Sequence, residues 1–258
     1  MYTQLLRSLA PRAVAELFLV RPMRTASVLP FLTLVALACG ESKQAEVSDV
    51  PWGKQPDHLV PLVPETGSIG QYRDLMFKHL CITAAQFGRM ALEIGFYEPE
   101  WVVSVYGEDE VGINTTEYKS YHITVTKARD SIWTSLPSNN EEHQQKPIEV
   151  SRQDIAIDRQ LAVAVQRAWT AMLLQTRYPE KASMFTDAPT IWFSVECRNL
   201  FTDLYGEITP PTHGLTKEMF DIGLALRTFC ELPPEQRTPE REKLITRLKA
   251  LERKTRKA

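Results

Sequence analysis

Three stretches of period-two alternation lie so close together between Gly88 and Ala128 that no crossover helix fits between them. In "GRMALEIGF", Met90, Leu92, Ile94 and Phe96 alternate with Ala91, Glu93 and Gly95, the pattern of a half-buried strand. "EPE" breaks the chain, and "WVVSVYG" follows, β-branched and aromatic, predicting a strand over Trp101–Tyr106. After the turn-forming "GEDEVGINTTE", "YKSYHITVTKA" sets Tyr121, Ile123 and Val125 on one face. Tyr118, Ser120, His122, Thr124 and Thr126 fall on the other. Strands joined this tightly pair antiparallel. The apolar face of the third is expected in the core and its polar face in water.

The rest of the chain adds strands and then helices. "IEVSRQDIAI", "TIWFSVEC" and "LYGEIT" predict further strands. "DRQLAVAVQRAWTAMLLQTRYP" is a helix with Asp158 as its cap, and its apolar stripe is Leu161, Val165, Ala168, Trp169, Met172 and Leu173. Shorter helical spacing appears in "YRDLMFKHL" and "TKEMFDIGLALRTFC". "TPEREKLITRLKALERKTRK" opens with Thr238 as cap and Pro239 at the first helical position. No solenoid-type repeat is present. Strands closed by helices, without strict β-α alternation, imply an α+β fold. The expectation is one domain over 68–234, with a mainly antiparallel sheet of about five to six strands and helices packed on it. An amphipathic basic helix follows over 235–258.

The N-terminus belongs to none of this. "SVLPFLTLVALAC" ends at Cys39 and is too short for the roughly 20 apolar residues of a spanning helix. It has the length of a signal-peptide core behind a positive segment. Ala36, Leu37 and Ala38 before Cys39 resemble the bacterial lipobox, although alanine stands three residues before the cysteine where leucine is commonest. That resemblance implies cleavage before Cys39 and acylation of its sulfur by diacylglycerol, with palmitate-type chains. Residues 1–38 are then a signal peptide, and Met23 is an alternative start. Residues 39–67 become the lipidated cysteine and a tether. The polar, proline-bearing composition after Cys39 supports a flexible coil reaching about 30 Å. The expected location is the cell envelope, with the lipid as membrane anchor.

Composition narrows the functional classes. The chain of 258 residues is 43% apolar and 24% charged, with formal net charge −2. Past Cys39, 26 basic residues face 31 acidic ones. A mildly acidic domain without a basic stripe argues against nucleic acid as a partner. Residues 240–258 hold eight basic and three acidic side chains, suited to anionic lipid or to a solvated helix end. The cysteines Cys39, Cys81, Cys197 and Cys230 form no C-x-x-C pair. This leaves either one disulfide beside a buried thiol or three buried thiols.

Motifs for catalysis are missing. There is no G-x-S-x-G, H-E-x-x-H, G-x-x-x-x-G-K, G-x-G-x-x-G or S-x-x-K. No catalytic residue, metal site or cofactor is therefore assigned. Glu141, Glu142 and His143 sit in a polar loop, where adjacent residues seldom converge on one ion. Candidate ligand-binding residues are His122 on the polar strand face, and Arg177 and His213 near element ends. The blocks "PEWVVSVYG", "SIW", "MLLQTRYP" and "GLALRTFC" resemble a set of bacterial proteins to which no activity is assigned. The resemblance covers over half the chain and implies a single domain.

Two functions from different classes follow as expectations. The first is a non-enzymatic envelope lipoprotein whose domain binds a protein or envelope component, for instance as an inhibitor or immunity protein. The alternative is a small envelope hydrolase. It requires at least two of Glu93, His122, Arg177, Glu196 and His213 to converge in a cleft.

Overall fold

Antiparallel pairing organises the whole sheet. In a computed structural model the described residues are 58–62, 66–82, 86–93, 99–110, 117–136, 147–178, 189–197 and 202–258. All fall in the compact unit Val47–Ala258. Helix α1 (Gly67–Leu80) precedes β1 (Gln86–Glu93), β2 (Trp101–Glu110) and β3 (Tyr118–Ala128). A 3-10 turn (Ile132–Ser135), β4 (Val150–Ile157), α2 (Arg159–Leu173), β5 (Thr190–Cys197), β6 (Thr202–Ile208), α3 (Gly214–Glu231) and α4 (Pro234–Thr255) follow. The strand order is β4-β3-β2-β1-β5-β6, and every pair is antiparallel. The protein is an α+β domain of one six-stranded sheet with helices on it.

The main core lies between the sheet and α2, α3 and α4. Met90, Val103, Val105, Ile123, Val125, Ile191 and Phe193 meet Leu161, Val165 and Trp169 of α2, Met219 and Leu226 of α3, and Leu244 and Leu248 of α4. The predicted stripe of α2 is fully buried. Asp158 caps that helix by accepting a hydrogen bond from Leu161 N at 3.0 Å, and Arg241 of α4 reaches the same carboxylate. The close approach of α2 to β1 depends on Gly88, since a Cβ there would stand 2.7 Å from Val165 Cγ1.

A smaller core forms on the opposite face of the sheet. Tyr72, Met76 and Leu80 of α1 and Ile132 of the 3-10 turn cover Ala91, Val102, Ala128 and Trp192, and Phe77 stacks on Trp192 at 4.7 Å. This second layer changes the expected exposure of the polar face of β3. Thr124 and Thr126, placed in water by their chemistry, are 1% and 0% exposed. Both are satisfied there: Thr124 Oγ1 donates to Gln153 O, and Thr126 Oγ1 accepts from Arg152 Nε.

Two element boundaries differ from expectation. Helix α4 begins at Pro234, with Pro239 inside it rather than at its start. Proline there removes one bond, to the carbonyl of the exposed residue Glu235, which water can replace. The segment 58–62, read from composition as tether, joins the domain. Leu59 is buried in the main core, and Val60 exchanges backbone hydrogen bonds with Glu207 at 2.9 and 2.8 Å along the outer edge of β6. Residues 1–38, expected as a signal peptide, and Cys39 lie outside the described residues.

Candidate functional site

Strand register builds a polar row straight across the second face. Asp154 of β4 lies opposite Thr124 of β3, Thr124 opposite Ser104 of β2, and Ser104 opposite Arg89 of β1. Arg89 in turn lies opposite Ser194 of β5, and Ser194 opposite Tyr205 of β6. Alternation puts all six side chains on the side away from α2. The row is solvent-exposed at both ends, at Asp154 and Tyr205, and buried between.

Arg89 occupies the middle of this row and is only 5% exposed. Its Nη2 donates to Ile82 O at 2.8 Å, and its Nε to Ser104 Oγ at 3.4 Å. The guanidinium stands 6.0 Å from the centre of the Trp192 ring. Burial pulls its pKa down, against weaker opposite pulls from Cys81, Tyr205 and Asp203. Beside it, the Ser194 hydroxyl is buried without a hydrogen-bond partner. Burial also pushes the Cys81 thiol up to about 11, which makes it a poor nucleophile. The Tyr205 hydroxyl is raised to about 12 by burial and by its hydrogen bond to Asp203 at 2.8 Å.

Next to the β4 end of the row, His122 gathers a second polar group. Its Nδ1 lies 2.9 Å from Asp154 Oδ2, and its ring stacks on Tyr106 at 5.2 Å. Tyr106 OH donates to Asp154 Oδ1 at 2.9 Å and stands 3.4 Å from Glu108 Oε1. Burial, followed by the Asp154 contact, raises the Tyr106 pKa well above the usual phenol value. His122 Nε2 makes no hydrogen bond and stands 3.7 Å from Glu108 Oε2. The arrangement fixes the ring by its Nδ1 side and directs the Nε2 side toward Glu108.

Ionic contacts hold α1 over the other end of this face. Arg73 Nε lies 3.1 Å from Glu93 Oε1, and Arg73 Nη2 lies 3.0 Å from Glu207 Oε2. Despite that cation, burial pushes the Glu93 carboxyl up to about 7, because desolvation of the anion outweighs the pull of Arg73. Glu100 is fully buried and satisfied by three donors at 2.9 Å: Tyr72 OH, Ser131 Oγ and Ile132 N.

The residues picked from the sequence do not converge. His122 is half-buried in the cluster just described. Arg177 is exposed beyond α2, where its backbone N–H donates to Leu59 O at 3.1 Å. His213 is the exposed N-cap of α3, with Nδ1 3.1 Å from Thr212 Oγ1. Glu93 belongs to the α1 ion pair. Glu196 lies opposite Asp203 at the β5–β6 pair, three inter-strand spacings, or about 14 Å, from the strand of His122. Glu141, Glu142 and His143 lie outside the described residues. Arg89, Ser104 and Ser194 were not singled out in the sequence. Alternation in "GRMALEIGF" does place Arg89 on the face of Ala91 and Glu93, but it carries no sign that this face is covered.

Other features set the site apart. Cys81, Cys197 and Cys230 are free thiols. Among the described residues no group of three or more His, Cys, Asp or Glu is placed to hold a metal ion, and no helix is long and apolar enough to cross a membrane. On the helical side, α2 and α4 frame shallow depressions lined by Arg159, Arg167, Lys249, Arg253, Lys257 and Glu252. No family model matches the chain, and neither curated proteins nor solved structures yield a match.

Proposed function

We propose that the protein is a lipid-anchored component of the bacterial envelope, tethered through Cys39, whose α+β domain binds a protein or envelope component without transforming it. The membrane part of this reading rests on the apolar run, the small residues before Cys39 and the polar tether after it. The binding part rests on one observation. The second face of the sheet carries a continuous polar row, open at both edges, with a fixed Tyr106–His122–Asp154 cluster beside it. Rigid strands present these groups with little conformational freedom left to lose, which favours recognition. An inhibitor or immunity role toward an envelope hydrolase is one form of this function. The basic depressions between α2 and α4 complement anionic headgroups on a nearby membrane.

Affinity capture from solubilised envelope tests the binding reading. The wild-type protein is expected to recover a defined partner. A variant carrying both His122→Ala and Asp154→Arg, with its fold verified by circular dichroism, is expected to lose it. Retention of the same partner by that variant contradicts the assignment to this face.

A hydrolase is the second reading, favoured by the His122–Asp154 contact at 2.9 Å and the Nε2 atom left without a hydrogen bond. A carboxylate-oriented histidine is half of a nucleophile-activating pair. Hydrolysis of a simple ester that vanishes in His122→Ala, while capture persists, would replace the binding reading with this one.

A further inference from the structure

We propose that Arg89, Ser104 and Ser194 form a recognition site for an oxyanion, a carboxylate or phosphate group carried by the ligand of the sheet's polar face. This rests on the reading of that face as a binding surface and names the chemistry it takes.

Arg89 is a buried cation with no ion-pair partner among the described residues. Arginine is almost never buried without a counter-ion, because removing the ion from water costs several kcal/mol unless an opposite charge offsets it. Among the described residues no carboxylate lies within ion-pair distance of Arg89, and the guanidinium's only hydrogen-bond acceptors are a backbone carbonyl and a serine hydroxyl. Asp203 of β6 acts on it only as a weak long-range attraction, smaller than the effect of burial, and its carboxylate accepts from Tyr205 OH at 2.8 Å. The carboxylates of Glu93 and Glu207 are occupied by Arg73. Among the described residues, therefore, no carboxylate forms an ion pair with the guanidinium at the centre of the sheet.

Donor count gives the ligand class. A guanidinium has five N–H groups in a planar fork. Two are used, on Ile82 O and Ser104 Oγ, which leaves three. Ser104 accepts from Nε, so its own O–H remains available. Ser194 is 2% exposed, and its hydroxyl has no partner. It lies directly opposite Arg89 in the β1–β5 register. Unspent donors on two adjacent strands, with the fork steadied over Trp192, match the several lone pairs of an oxyanion. An apolar or cationic ligand would leave them unpaired. Tyr205, 38% exposed and next in the row, marks the solvent side.

The test uses the full-length chain purified in detergent, titrated with inorganic phosphate and separately with acetate, at ionic strength matched with sodium chloride. Calorimetry and the thermal midpoint are the readouts, since an anion bound only to the folded state raises the midpoint saturably. At least one probe is expected to bind saturably. A response to phosphate alone marks a phosphate-bearing ligand, and a response to acetate alone a carboxylate-bearing one. Arg89→Met is expected to weaken binding at least 10-fold, about the worth of one charge-assisted hydrogen bond. Ser194→Ala guards against misfolding of that variant. Removing a buried, unpartnered hydroxyl leaves the fold as stable or more so, yet it is expected to weaken the anion about 5-fold, the worth of one ordinary hydrogen bond. Absence of saturable binding by either probe, or equal binding by wild type and Ser194→Ala, overturns the proposal. Loss of the anion site with partner capture intact would remove this inference alone. Anion binding without any partner on this face would instead remove the proposed function.

Discussion

Arg89 and Glu93 stand four residues apart on the same face of β1 and meet burial differently. Arg89 has no carboxylate within ion-pair distance among the described residues and burial pulls its pKa down, whereas Glu93 has Arg73 beside it and is still pushed toward its neutral form. The second case has a measurable consequence. The Glu93 pKa rises from its ordinary 4.5 to about 7 in the fold, so between those values the folded protein holds a proton that the unfolded chain has released. Its contribution to stability is fully present below pH 4.5 and is lost as the pH rises through about 7. The slope approaches ~1.4 kcal/mol per pH unit for one proton. Urea denaturation at pH 5 and pH 8 is expected to show wild type losing more stability across that interval than Glu93→Gln. Equal losses would place the pH dependence elsewhere. Neither residue could be weighed this way from sequence. Alternation put both on one face of a strand, but their burial depends on α1 and on partners up to 134 positions away, as with Arg73 and Glu207.

Local patterns carried further at the level of elements. The α2 stripe, its Asp158 cap and the first three antiparallel strands follow from spacing within short windows, because their core face repeats at the period of the element. What spacing could not convey was the second layer. α1 covers one end of the polar face, so threonines chosen by strand propensity end in a dry, hydrogen-bonded interior. The same limit applies to the segment 58–62. Pro61 and the lack of periodicity read as tether, yet Leu59 fills a core position and Val60 pairs with the edge of β6. A single buried residue leaves no periodic trace. Leu59→Ala is expected to cost about 2–4 kcal/mol by creating a cavity, measured by chemical denaturation. A cost below about 0.5 kcal/mol, typical of a surface site, would return this segment to the tether.

For the whole molecule, topology explains why the candidate site escaped the sequence. Arg89, Ser104 and Ser194 come from three strands, and the order β4-β3-β2-β1-β5-β6 brings β5 next to β1 only after α2 has crossed the sheet. No short motif encodes such a meeting. The proposed envelope location, in contrast, rests on the linear chain alone, on the short apolar run and the small residues before Cys39. Cys39→Ala is expected to shift the protein from the membrane to the soluble fraction on cell fractionation, and persistence in the membrane pellet would exclude lipid as the anchor. In the proposed function the polar sheet face, rather than the α2–α4 side, meets the partner. Photo-crosslinking in intact cells measures this directly, with a crosslinkable residue placed in turn at Ala156, exposed opposite His122, and at Tyr205 on one side, and at Arg167 and Lys249 on the other. One common adduct is expected from Ala156 and Tyr205, and none of that adduct from Arg167 or Lys249. The same adduct formed from the helical positions, with none from the sheet, would contradict it.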